Sequence, residues 1–227
     1  MHYVLLPGLH GSARLFTPFV LAAPDGATFT TVAYPPSGPQ DYDTLTAHAR
    51  DTLPQNRSYT LVAESFSGPV AIRLAAERPR GLTRLVLVAT FATAPLPRVL
   101  AQALSSERVA PDWLYGLLPM RTRVPRVFLG GLRRGDFDAV LREELARVSV
   151  QVFRQRMRAV LGVDVRAELT AVRAPVLYLR ATHDWTVLAT AARRIGRLGP
   201  DVAVRDVPGP HLLLQLAPQA AWRAIYS

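Results

Sequence analysis

Three residues far apart in the chain, Ser65, Asp184 and His211, are of the types that together carry out nucleophilic acyl transfer. A serine hydroxyl is a poor nucleophile until a base with a pKa near 7 takes its proton, and histidine is that base. A carboxylate behind the histidine orients the ring and stabilises the imidazolium that forms. Ser65 stands in Leu61-Val62-Ala63-Glu64-Ser65-Phe66-Ser67-Gly68-Pro69, where an apolar run meets a serine with small residues at both second neighbours and then a helical pattern. A sharp strand-to-helix turn holds such a serine in strained backbone angles with its Oγ clear of the sheet. The helix that follows points its N-terminus at the site, which favours developing negative charge. The usual motif is G-x-S-x-G; here Ala63 and Ser67 replace the glycines, small for small. The plainer role for Ser65 is a helix N-cap. Ser67 is the rival nucleophile, placed one turn too far into the helix.

Asp184 follows the apolar run Val176–Leu179, and His211 follows Val202–Val207 in a Pro-Gly-Pro-His loop. Both loops would sit at the carboxyl edge of a parallel sheet, where open α/β sheets build their sites. Asp206 is the rival acid, but its position inside a strand leaves its direction to the pleat. Among the other histidines, His183 is expected to face solvent, and His2 and His48 carry no assigned role. A fourth segment, Pro7-Gly8-Leu9-His10-Gly11-Ser12, follows the first apolar run. Acyl transfer needs two N–H groups aimed at the oxygen of the tetrahedral intermediate. Phe66, directly after the serine, is expected to give one; Leu9 is the first choice for the other and His10 N–H the second, because glycines let the backbone come close.

These loops need a scaffold that brings them to one rim. Tyr3–Leu6, Phe29–Ala33, Tyr59–Ala63, Leu85–Ala89, Val176–Leu179 and Val202–Val207 read as strands. Most are continuous apolar runs, as in a parallel sheet covered on both faces. Helical patterns lie between them near 15–22, 42–53, 68–78, 187–198 and 218–225, so the expected fold is α/β, a doubly wound, mainly parallel sheet of about six strands. From Ala92 to Arg166 the rhythm breaks, with prolines followed by helical patterns over 136–148 and 150–161; this reads as a helical cap inserted in a single domain spanning 1–227.

Composition narrows the rest. The 227 residues contain no cysteine, which removes disulfides and thiolate chemistry. No run approaches the length needed to span a bilayer. The segment from Met1 to Ser12 has no basic leader and is broken by Pro7 and Gly8, so cytoplasm is the expected location. The net charge is +10, all of the basic residues are arginine, and 13 of them fall in the cap against 7 acidic residues. They are scattered without interleaved aromatics, which argues against nucleic acid as a partner.

Together the four segments, in the chain order Ser, Asp, His, resemble the α/β-hydrolase superfamily over nearly the whole chain outside the cap. That resemblance implies an acyl-enzyme at Ser65, no metal and no organic cofactor. The sequence departs from the family pattern at Pro7, where many members carry histidine, and at Ala63 and Ser67. Its first strand is also the one that leads into the oxyanion loop. The expected substrate is a carboxylic ester, with His10, Phe91, Trp113 and Trp185 as candidate pocket residues. Thioesterase or lactonase activity, and a non-catalytic receptor that keeps the triad, are the alternatives. The layout is also similar to carrier-protein methyl ester esterases. In that case an acidic acyl carrier would dock on Arg121, Arg123, Arg126, Arg133 and Arg134, attracted by the basic cap. Oligomeric state is not legible.

Overall fold

The computed structural model describes residues 1–95, 135–198 and 201–227. Six strands form one sheet: β1 (His2–Leu6), β2 (Thr28–Thr31), β3 (Tyr59–Glu64), β4 (Leu82–Val88), β5 (Val176–Ala181) and β6 (Val202–Val207). Their order is β2-β1-β3-β4-β5-β6 and every pairing is parallel. The middle strands are apolar on both faces because both faces are covered. β1 and β3 are buried along their whole length, whereas the edge strands β2 and β6 are largely exposed or half-buried.

Alternate residues of each strand feed two separate cores, as the two-residue period of a strand requires. Val4, Leu6, Leu61, Ala63, Leu85, Leu87, Val176 and Tyr178 face α2 (Tyr42–Arg50), α3 (Gly68–Ala76), α6 (Arg166–Ala171) and α7 (Ala189–Leu198). Tyr3, Leu5, Val62, Val86, Val88, Leu177 and Leu179 face α1 (Thr17–Leu21), α8 (Leu213–Leu216) and α9 (Pro218–Tyr226), where Trp222 stacks on Phe19 with ring centroids 4.2 Å apart. The chain leaves β1 toward β2 on one side and leaves β3 toward β4 on the other. The carboxyl ends of β1 and β3 therefore flank a crevice, the usual place for a site in such a sheet.

In the cap segment, α4 (Gly135–Arg147) and α5 (Val150–Gly162) match the helical patterns read there. Thr93 pairs with Asp164 in an isolated antiparallel bridge that closes the base of the insertion. Among the described residues, no helix is long and apolar enough to cross a membrane. Element edges differ from expectation by a few residues: β4 begins at Leu82, and α7 begins at Ala189 after a turn that includes Val187. The short helices α6 and α8 fell below the length at which a 3.6-residue period can be seen.

Candidate active site

Ser65 sits at the turn between β3 and α3 with φ 52°, a left-handed value rare for a residue with a side chain. That strain persists only because the surroundings over-determine it, and several contacts do so. Thr90 Oγ1 donates to the Ser65 carbonyl. The Tyr42 hydroxyl donates to the Phe66 carbonyl at 3.1 Å. The Tyr178 hydroxyl donates to the Thr90 carbonyl at 2.7 Å and accepts from the Thr90 N–H at 3.0 Å. Gly68 cannot be larger, because a Cβ there would collide with the Thr90 side chain.

Ser65 Oγ lies 2.7 Å from His211 Nε2. On the other side of the ring, His211 Nδ1 lies 2.7 Å from Asp184 Oδ2. The Asp184 and His211 side chains are 3% and 1% exposed, so water competes weakly for these bonds. Asp184 Oδ1 accepts from the Thr186 N–H at 2.7 Å and the Val187 N–H at 2.9 Å, which fixes which oxygen faces the imidazole. Backbone bonds from Thr182 to Val207 and from His183 to Gly209 lace the two loops together. The structure thus brings Ser65, Asp184 and His211 into one relay.

The rivals are otherwise engaged. Ser67 Oγ donates to the Pro7 carbonyl and is bonded to the Tyr34 hydroxyl at 2.5 Å, so its hydroxyl is a strut between β1's end and the turn. Asp206 is paired with Arg180 on the neighbouring strand. His183 is exposed.

The loop after β1 is a tight turn closed by a bond from the Gly11 N–H to the Gly8 carbonyl at 2.9 Å. In a trans peptide the N–H points opposite its carbonyl. Tying the Gly8 carbonyl inward therefore turns the Leu9 N–H outward, and among the described residues no backbone bond outside helices and strands takes it up. Phe66 is buried with its ring stacked on Tyr42. His10 is buried beside this turn. Phe91 is packed into the sheet-face core, and Trp185 stands 63% exposed next to Asp184. Trp113 and the five arginines Arg121, Arg123, Arg126, Arg133 and Arg134 lie outside the described residues.

The strand order, the strained serine and the three-residue relay can be set against known structures. The chain superposes on the bromoperoxidase from Bacillus anthracis with a TM-score of 0.83 at 19% identity, covering 99% of this chain and 90% of that one. It superposes on MenH from S. aureus with a TM-score of 0.83 at 16% identity, covering 100% and 92%. The chain has the α/β-hydrolase fold. An esterase from Exiguobacterium antarcticum is a further neighbour, with a TM-score of 0.77 at 13% identity, covering 100% and 91%. No family model and no curated protein sequence matches.

Within this α/β-hydrolase fold the sequence had not singled out two buried groups at the site. Arg156 on α5 is 1% exposed and reaches under the turn after β1. Its Nη1 donates to the Leu9 carbonyl at 2.6 Å, its Nε to Gln40 Oε1 at 2.9 Å and its Nη2 to the Pro35 carbonyl at 3.3 Å, while its guanidinium lies over the Tyr34 ring. Burial pushes its pKa down to about 10. Gly11, at φ 72°, leaves the space it needs, since a Cβ there would stand 2.6 Å from Nη1. Helix α5 thus ties down the turn after β1 through one arginine. Arg156→Met should lower kcat about tenfold while costing only about 1–2 kcal/mol of stability, because losing the hydrogen bonds is offset by no longer burying the charge. Steady-state kinetics beside denaturant unfolding measures both; a stability loss with unchanged kcat would reduce Arg156 to packing.

Glu64, the residue before Ser65, is fully buried. Its Oε2 accepts from Gln215 Nε2 at 2.8 Å. Burial pushes its pKa up to about 7, and the bond from Gln215 and the nearby His211 only partly oppose this. An acid with a raised folded pKa stabilises the fold fully below its ordinary value of 4.5, and that contribution disappears as pH rises through 7. Wild type should therefore lose up to about 3 kcal/mol relative to Glu64→Gln between pH 4.5 and 7.5. Melting curves of both proteins across that range test it; parallel pH profiles would contradict it.

Proposed function

We propose that the protein is a serine hydrolase that cleaves carboxylic esters through an acyl-enzyme on Ser65. The observation that carries this reading is the relay from Ser65 Oγ through His211 to Asp184, with 2.7 Å at each step. As Oγ attacks the acyl carbon, its proton passes to His211 Nε2 and the carbonyl π pair moves onto oxygen. That oxyanion is met by the N–H groups of Leu9 and Phe66. Collapse of the intermediate expels the alcohol, protonated by His211, and leaves the acyl group on Ser65. A water then gives its proton to His211 and attacks the acyl carbon, and Ser65 departs with the proton returned. Asp184 accepts the Nδ1–H of His211 and keeps the imidazole in the tautomer that accepts at Nε2. The esterase among the structural neighbours fits the same reading.

A carrier-linked acyl ester is the finer form of this proposal, with Arg121, Arg123, Arg126, Arg133 and Arg134 as the docking face. The experiment for the site itself is labelling with a fluorophosphonate, followed by a panel of p-nitrophenyl esters and matching thioesters of varied chain length. Stoichiometric labelling of Ser65 and steady turnover of esters are expected. Labelling without turnover would mark a binding protein that keeps the triad. Faster turnover of thioesters would move the reading to a thioesterase. Absence of labelling would end it.

A further inference from the structure

The imidazole of His10 has one nitrogen accounted for and one not. The Ser12 N–H lies 3.0 Å from His10 Nδ1, and a backbone N–H can only donate, so Nδ1 is the acceptor. In the neutral ring the single proton therefore sits on Nε2. His10 is 8% exposed, and its Nε2 has no hydrogen-bond partner among the described residues. Buried donors without partners are rare, and one beside a nucleophile asks for an acceptor that the described residues do not supply. Gly8 locates it: the point where a Cβ on Gly8 would stand is 3.2 Å from His10 Nε2 and 3.7 Å from Ser65 Cβ. The unpartnered Nε2 and the Ser65 side chain thus flank the same point beside Gly8.

We propose that His10 Nε2–H is a third donor to the substrate oxygen that becomes the oxyanion, joining the backbone N–H groups of Leu9 and Phe66. This rests on the serine-hydrolase reading of the site. Protonation would spoil the arrangement, and the surroundings prevent it. Burial first, then the Arg156 guanidinium and His211, drive the His10 pKa down to about 3. His10 therefore stays an uncharged donor even while His211 carries a proton during the reaction. The Gly8 position serves the same end, because a side chain there would crowd the imidazole edge away from the acyl oxygen.

Two amide replacements separate this role from a structural one. His10→Gln places an N–H donor near the position of Nε2 and gives up the acceptor for the Ser12 N–H. His10→Asn keeps an oxygen near the position of Nδ1 and gives up the donor. On a p-nitrophenyl ester, His10→Asn and His10→Ala should lose about tenfold to a hundredfold in kcat with KM nearly unchanged, and His10→Gln should retain most of it. If His10→Asn matches wild type while His10→Gln fails, the ring only supports the turn and the proposal is overturned; kcat within threefold of wild type for His10→Ala overturns it too. Independently of turnover, nitrogen-15 NMR of the wild-type imidazole should show a neutral ring protonated at Nε2 from pH 5 to 9. An Nδ1–H tautomer or a charged ring in that range overturns it. If wild type neither labels at Ser65 nor turns over ester, the underlying reading fails first; if it does both and only the His10 results miss, this inference alone fails.

Discussion

Ser65→Ala should lower kcat/KM on a p-nitrophenyl ester by five to six powers of ten, roughly the loss seen when a triad nucleophile is removed. The residual rate would come from the oxyanion donors and from binding, which the substitution leaves in place. The effect is this large because no neighbouring group can substitute. Ser67 is the nearest hydroxyl in sequence, but its Oγ is spent on the Pro7 carbonyl and the Tyr34 hydroxyl. Freeing it would cost two buried hydrogen bonds. The fold should be unaffected or slightly relieved, since alanine in the left-handed turn carries the same Cβ and the serine hydroxyl supports only His211. Kinetics together with a melting curve checks both parts; near-normal turnover would remove Ser65 from the chemistry.

Asp184→Asn should lower kcat by about four powers of ten with the fold intact. The geometry gives the reason. Asp184 Oδ1 accepts two backbone N–H groups, from Thr186 and Val187, so the asparagine oxygen must remain there. Its NH₂ then faces His211 Nδ1, which becomes an acceptor. The ring proton moves to Nε2, and Nε2 can no longer take the proton of Ser65. A variant with unchanged kcat would show that the carboxylate neither orients nor stabilises the imidazole.

Much of this site is legible in the sequence. The apolar runs ending at Ala63 and Leu179 were readable as buried strands because a doubly covered parallel sheet demands continuous apolar sequence, and the run ending at Val207 was readable as a further strand although it lies at the sheet edge. The loops after them then put Ser65, Asp184 and His211 on one rim. Arg156 was not legible. It is one of 13 arginines in a basic segment, and nothing in the local sequence distinguishes it from the others. Its partners Leu9, Pro35 and Gln40 are more than a hundred residues away in sequence, so only the folded chain identifies it. Ser67 was read as a small residue that lets the chain turn, yet its hydroxyl ties the Pro7 carbonyl after β1 to the turn that holds Ser65. Trp185, a candidate pocket residue, stands 63% exposed next to Asp184.

The acyl-enzyme is read out directly by acid-quenching the wild-type protein during turnover of a slow ester and fragmenting the tryptic peptide spanning Ser58 to Arg73. The proposed mechanism requires an added acyl mass localised to Ser65, present in wild type and absent in Ser65→Ala. An acyl group localised to Ser67, or ester turnover with no covalent adduct even in Asp184→Asn and at early times, would contradict it.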